Sequence, residues 1–148
     1  MTKNKITPAL WFHTKSGSMQ EVIGYYSKIF EDDFKIVSTH ALGQTPSGNA
    51  EMCNILLFDN TYMMMATEKE HHMFNDTFAI MIHCDDQDEI DKFWKYFTQQ
   101  GQESMCGWCI DKFGLRWQII PKNLNELMSK PNAWEVMSRQ TKIIINEY

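Results

Sequence analysis

The stretch MCGWCIDKFGLRWQIIP, Met105 to Pro121, predicts a β-hairpin. It contains the spacing Cys106-x-x-Cys109, which is typical of redox dithiols and of half a zinc site. After Cys109, the residues alternate and turn at Lys112-Phe113-Gly114, as in two strands of a hairpin. A thioredoxin-type pair needs a helix N-terminus to lower the pKa of its first thiol. The alternation therefore favours two separate strand cysteines, because residues three apart on a strand point to opposite faces.

A zinc site is a second interpretation of the same cysteines. The further candidate ligands are His71, His72 and Cys84. Structural zinc takes four ligands, typically from two paired knuckles, and one Cys-x-x-Cys with adjacent histidines does not form that pattern. A thiol redox or zinc protein using Cys106 and Cys109 is kept as an alternative function.

The composition of the whole chain limits the class of protein. Its 148 residues are 43% hydrophobic and 13% aromatic, which predicts one compact domain or two small repeats sharing a core. The net charge of -5, without a basic stripe, argues against nucleic acid or a membrane as partner. No secretory signal and no membrane-length apolar run are present. With four irregularly spaced cysteines, we expect a cytoplasmic protein with reduced thiols.

The order strand, helix, several strands appears twice along the chain. In the first half, residues 6–13 read as a strand, and Ser18 to Glu21 as a capping box that begins a helix. The next predicted elements are strands at 34–41, 52–58 and 62–67, with a loop over 42–49.

The second half repeats this order. Residues 78–84 predict a strand, and Asp86 can cap a helix that ends at Gly101. Strands follow at 105–111 and 115–120. The chain closes with a short helix near 124–128 and a longer one that starts at Pro131.

Two segments resemble a known bacterial family. ITPALWFHTKSGSMQEVIGYYSKIF resembles the opening, and CGWCIDKFGLRWQIIPKNLNELM the closing block, of the PhnB-like family of the vicinal-oxygen-chelate superfamily. That superfamily includes glyoxalase I, bleomycin-resistance proteins and extradiol dioxygenases, and many PhnB-like members carry the name 3-demethylubiquinone-9 3-methyltransferase. The resemblance spans about Lys5 to Met128.

The resemblance implies an α+β fold of two βαβββ modules that form a curled mixed sheet around a cavity, followed by C-terminal helices. We expect a single domain with module one at about 5–67, module two at about 77–121 and a helical tail at 123–148. The resemblance also implies a homodimer.

In metal-dependent relatives, four side chains from the first and last strands of each module bind a divalent ion. By strand register these positions fall on Thr7, Met64, Ala79 and Gln118. Ala79 has no ligand atom, Met64 has a soft thioether, and the other two have neutral oxygens. We therefore expect no metal and no cofactor. A slip of one residue brings in no better ligands, namely Pro8, Met63, Met65, Ile80 and Trp117.

Alternation predicts a mostly apolar and aromatic pocket, as is usual for small-molecule sites. The ligand-binding candidates are Trp11, Met64, Met81, Trp108, Arg116 and Gln118. Arg116 either holds an anionic group or points to solvent at the open end of its strand. His83 and Tyr62 are candidates for acid–base chemistry, and a His83 bonded to backbone is the alternative.

These observations predict a small-molecule-binding protein of this superfamily. A metal-independent enzyme acting on a small organic substrate is an alternative, and the sequence does not separate catalysis from binding. Methyltransferase activity is not expected, because HTKSGS after the first strand has one glycine and Gly-x-Gly-x-x-Gly is absent.

Overall fold

The computed structural model describes residues 5–148. The chain divides between His72 and Met73 into two compact units. Each unit contains a four-stranded mixed sheet and a helix between the first two of its strands. The predicted α+β architecture of two βαβββ modules is therefore confirmed.

The first unit has the strand order β1-β4-β3-β2. Only the pair β1 and β4 is parallel, and the other neighbours are antiparallel. Its elements are β1 (Ala9–His13), α1 (Gln20–Phe30), β2 (Phe34–Thr45), β3 (Gly48–Leu57) and β4 (Asn60–Thr67).

The second unit repeats this topology, with the order β5-β8-β7-β6 and a parallel pair β5 and β8. Its elements are β5 (Ala79–Cys84), α2 (Gln87–Gln99), β6 (Gln102–Glu103), β7 (Trp108–Ile110), β8 (Arg116–Pro121), α3 (Leu124–Met128) and α4 (Ala133–Arg139). None of the described helices has the length and apolar character that crossing a membrane requires.

In each unit, one face of the sheet packs against the unit's helix. In β1, Leu10 and Phe12 are buried while their neighbours are exposed, and the Phe12 ring contacts Tyr26 of α1 at 5.9 Å between centroids. In the second unit, Trp117 of β8 stacks on Phe97 of α2 at 4.7 Å. We call the opposite side of each sheet its open face.

The two units also share their register. The parallel pairs run from Ala9/Met63 to His13/Thr67 in the first unit. In the second they run from Ala79/Arg116 to His83/Ile120. Counted from the first pair of each set, the five pairs of β1 and β4 correspond to the first five pairs of β5 and β8.

Helix α2 begins as predicted. The Asp86 side chain accepts a 2.9 Å hydrogen bond from Glu89 N, as expected of an N-cap. Helix α1 starts after Met19, which has no side-chain cap, and Ser18 Oγ accepts a hydrogen bond from Gln20 N. The capping box between Ser18 and Glu21 stays a prediction.

The predicted loop over 42–49 is wrong. Strands β2 and β3 continue through most of this range, and only Pro46 and Ser47 lie between them in a tight hairpin turn. Thr45 Oγ1 closes the turn: it accepts from Ser47 N at 3.1 Å and donates to Gly48 O at 2.8 Å. Gly48 has φ +83°, a conformation that glycine adopts without strain. Turn residues and a short side-chain contact thus replace the expected loop.

Two boundaries near the C-terminus differ from the prediction. The strand expected at 105–111 is reduced to Trp108–Ile110, because Cys106 and Gly107 both have positive φ. Helix α4 starts at Ala133 rather than at Pro131, because Asn132 has left-handed backbone geometry.

The hairpin of β7 and β8 is closed by a buried carboxylate. Asp111 is 2% exposed, and its Oδ1 accepts from the backbone N–H groups of Phe113 and Leu115 at 2.8 and 3.1 Å. Its Oδ2 accepts from Trp117 Nε1 at 2.8 Å. One side chain thus fixes both the turn and the tryptophan that packs on α2.

The C-terminal segment is bonded to the start of this hairpin. Cys106 N and Gly107 N donate to the carbonyls of Gln140 and Thr141, both at 2.8 Å. Gly107 is also closely packed, since a Cβ there would lie 2.7 Å from Ile119 O. Glycine at this position is required both by its φ and by this contact.

We expect Asp111→Ala to lower the free energy of unfolding by about 3 kcal/mol, because three buried donors lose their acceptor. Urea denaturation measures this change. Asp32→Ala, which removes an exposed carboxylate, is the control and should have little effect. Equal stability of the two variants would contradict the role given to Asp111.

Candidate ligand-binding faces

The open face of the first unit carries a row of side chains across all four strands. Trp11 pairs with Met65, Met65 with Met52, and Met52 with His40. Met63 lies two residues from Met65 on the same strand and therefore on the same face. We call these five residues the first open face.

Trp11 is held in place on this face. Its Nε1 donates to Thr67 Oγ1 at 2.8 Å, and its ring stacks on the His71 ring at 4.3 Å between centroids. Trp11 remains 40% exposed, so its ring has area available to a ligand. The Nε2 atom of His71 is buried without a hydrogen-bond partner.

The prediction that Met64 shares a face with Trp11 is wrong. Met64 pairs with Leu10 on the helix side of the sheet and is only 3% exposed. Tyr62, two residues earlier on β4, lies on that helix side as well. Burial raises the pKa of the Tyr62 hydroxyl, so the hydroxyl stays protonated near neutral pH and is not available as a base.

In the second unit, the structure does bring the predicted residues together. Met81 pairs with Gln118, and Gln118 pairs with Trp108, so the three lie in a row. Gln118 Nε2 donates to Cys106 O at 3.1 Å, which leaves the side-chain oxygen as an acceptor. We call Met81, Gln118, Trp108 and the neighbouring Arg116 the second open face.

Arg116 lines a cavity of about 240 Å³ with Trp108, Ser104, Asp76, Cys109 and Ile110. Its Nε donates to Asp76 Oδ1 at 2.8 Å, and its Nη1 to the carbonyls of Phe74 and Gly114. The Nη2 atom has no partner among residues 5–148. Arg116 is thus mostly buried and oriented by Asp76, a partner that sequence spacing does not indicate.

His83 lies on the open side of β5, two residues beyond Met81, and is exposed. Its counterpart in the first unit is His13, whose Nε2 lies 3.1 Å from Glu68 O. No described residue bonds to the His83 ring. The suggested acid–base role of His83 stays a prediction.

The positions that the resemblance assigns to a divalent metal stay a prediction. Ala79 and Gln118 lie on the open side of β5 and β8, Met64 lies on the helix side of β4, and Thr7 precedes β1. A methyl group, an amide, a thioether and a hydroxyl do not fit a hard or borderline divalent ion. Within the described part of the chain, no three His, Cys, Asp or Glu side chains are grouped closely enough for a metal.

The four cysteines are all free thiols. Cys109 lies on the helix side of β7, where burial raises its pKa to about 12. Cys106 is partly exposed, and its Sγ lies 3.5 Å from Met137 O of α4. Cys84 is buried too, and its pKa is raised to about 12 mainly by desolvation.

Several solved structures share the fold of this chain. A PhnB protein from Bacillus cereus matches with a TM-score of 0.67 and 23% identity, over 80% of this chain and 99% of that chain. The fosfomycin resistance protein FosX from Mesorhizobium loti matches with a TM-score of 0.57 and 14% identity, over 88% and 100%. FosX from Listeria monocytogenes, solved with Mn(II) and sulfate, gives 0.57 and 11%, over 86% and 99%.

These matches show that the chain has the same fold as the PhnB and FosX structures. No curated protein matches the sequence. The family model described as 3-demethylubiquinone-9 3-methyltransferase matches residues 4–120, which is most of the chain. The strand order, the shared register and this match agree with the sequence resemblance, and the chain belongs to this PhnB-like family.

Proposed function

We propose that the protein binds a small organic molecule on the second open face. The observation that carries the proposal is the row Met81, Gln118 and Trp108 beside the cavity lined by Arg116. Apolar and aromatic surface with a few fixed polar groups is the usual composition of such sites.

The arrangement favours a flat ligand with an anionic substituent. Trp108 offers a ring for stacking, and the oxygen of Gln118 accepts a hydrogen bond. Arg116 is oriented by Asp76 and two carbonyls, so that its Nη2 is available to a carboxylate or phosphonate oxygen. Asp76 offsets part of the guanidinium charge. Arg116 therefore favours ligands by the position of their oxygen atoms more than by their net negative charge.

Two activities suggested by relatives have little support in the chain's own residues. The positions expected to bind a divalent metal carry Ala79 and Gln118, and we propose that this metal site has been lost. The turn after β1 has one glycine, Gly17, where a Cβ would lie 1.9 Å from Asn49 O. That glycine packs against the protein chain and therefore does not receive a nucleotide.

A metal-independent enzyme is the second candidate. It is favoured by His83, an exposed imidazole on the same side of β5 as Met81. Imidazoles are the most frequent general acids and bases in enzymes.

The thiol redox alternative is disfavoured by the raised pKa of Cys109, because the thiolate is the reactive species. Because all four cysteines are free, we propose a reducing, cytoplasmic location. We also propose that the protein is a homodimer, as the family resemblance implies.

Ligand binding is tested by thermal shift against a panel of flat aromatic carboxylates and phosphonates that also contains S-adenosylmethionine. We expect at least one flat anion to raise the Tm. Trp108→Ala should weaken its affinity by about tenfold, because the stacking surface is lost. Trp134→Ala removes a tryptophan that is 71% exposed on α4 and should leave the affinity unchanged. A shift with S-adenosylmethionine alone would support methyl transfer and contradict the proposal.

Loss of the metal site is tested by elemental analysis of the purified protein. We expect Zn, Ni, Mn and Fe to be substoichiometric, because the donor set is unsuited to them. Treatment with EDTA should leave the Tm unchanged. One bound equivalent of any of these four metals per chain would show that a site has been retained.

The thiol alternative is tested by alkylation of the native protein with iodoacetamide at pH 8. Burial raises the pKa of Cys109 to about 12, so its thiol stays protonated at that pH and reacts slowly. We expect modification of Cys106 alone, with the three buried cysteines protected until urea is added. Modification of Cys109 at the rate of Cys106 in the native protein would revive the redox interpretation.

A further inference from the structure

Three methionines of the first unit lie together on its open face. Met52 and Met65 are directly opposite each other on β3 and β4, and Met63 is diagonal to Met52. Directly opposite residues have Cβ atoms about 5 Å apart, and diagonal residues have Cβ atoms about 7–8 Å apart. Because a methionine side chain has three rotatable bonds, the three sulfur atoms can converge on one point.

These methionines are not the ones that fill the core. Met64 performs that packing role from the helix side of β4, and Met19 is likewise buried at the start of α1. Met52, Met63 and Met65 are each partly exposed to solvent. These three side chains are therefore not enclosed in the core.

We propose that the first open face binds a soft monovalent metal ion, Cu(I) or Ag(I), through the thioethers of Met52, Met63 and Met65. Thioethers are neutral, soft ligands that select Cu(I) over hard and borderline divalent ions. The proposed site lies in the first unit, and it does not depend on ligand binding at the second open face.

Unpartnered imidazole nitrogens flank the three sulfurs. His40 pairs with Met52 across β2 and β3 and has no described hydrogen-bond partner. His71 stacks over Trp11, the neighbour of Met65, and its Nε2 is buried without a partner. A buried nitrogen without a partner is unusual, since such atoms are normally satisfied. An imidazole nitrogen can thus complete a coordination shell of sulfurs.

The test is a titration of the Cys106→Ser protein with Ag(I) in chloride-free buffer, followed by calorimetry and tryptophan fluorescence. Cys106 is replaced because it is the partly exposed thiol and would compete for silver. Trp11 is the only tryptophan before residue 94, so it reports on this face. We expect one Ag(I) per chain with quenching, and Trp11→Phe should remove the quenching while binding remains.

The substitutions Met52→Leu and Met65→Leu together should weaken Ag(I) binding by at least about tenfold, because two thioethers are lost with little change in volume. Met73→Leu, at an 81% exposed position outside this face, is the matched control and should bind as tightly as the parent. Unchanged Ag(I) affinity in the double variant, or equal weakening in the control, would overturn the proposal. Binding of flat anions at Trp108 should be the same in all of these variants, which separates the two sites.

Discussion

The buried carboxylate of Asp111 determines the geometry of the second unit. It accepts hydrogen bonds from two backbone N–H groups of the β7–β8 turn and from the indole of Trp117. The turn sets the pairing of β7 with β8, and Trp117 attaches β8 to α2 through Phe97. Because residues alternate along β8, fixing Trp117 toward the helix directs Arg116 and Gln118 to the open face. The Asp111 carboxylate thus positions Arg116 and Gln118, the residues proposed to bind a ligand, from the helix side of the sheet.

In each sheet, alternation along the strands places one set of side chains against the helix and the other set on the open face. On the helix side, large apolar side chains such as Phe12 and Trp117 are almost completely buried. On the open side, the two units carry different chemistry at corresponding positions. The first has a thioether at Met65 where the second has the amide of Gln118. The open faces are therefore suited to different ligands, although the backbones that carry them are paired in the same way.

Sequence patterns predicted the element order except for the short strand β6, together with the capped helix α2 and the row of Met81, Gln118 and Trp108. They succeeded for this row because β5 and β8 show regular alternation with no bulge. They failed for Met64, because three consecutive methionines do not indicate which side of β4 is buried. The helix contact settles that question, and it depends on residues distant in sequence.

Met52 and His40 were missed for the same reason, because only the strand register places them in one row with Trp11. His71 was considered only as a zinc ligand. Its stacking on Trp11 follows from the path of the chain after β4, which sequence patterns do not indicate.

The shared register of the two units has a consequence for how such a chain can change over time. Five pairs of positions in β1 and β4 have counterparts in β5 and β8, so a substitution in one unit leaves the matching position of the other unit intact. Alanine stands at both Ala9 and Ala79 and histidine at both His13 and His83, whereas Met63 and Arg116 differ in size, charge and polarity. A fold built from two similar units can therefore change its specificity on one half without any change in how the strands of either half are paired.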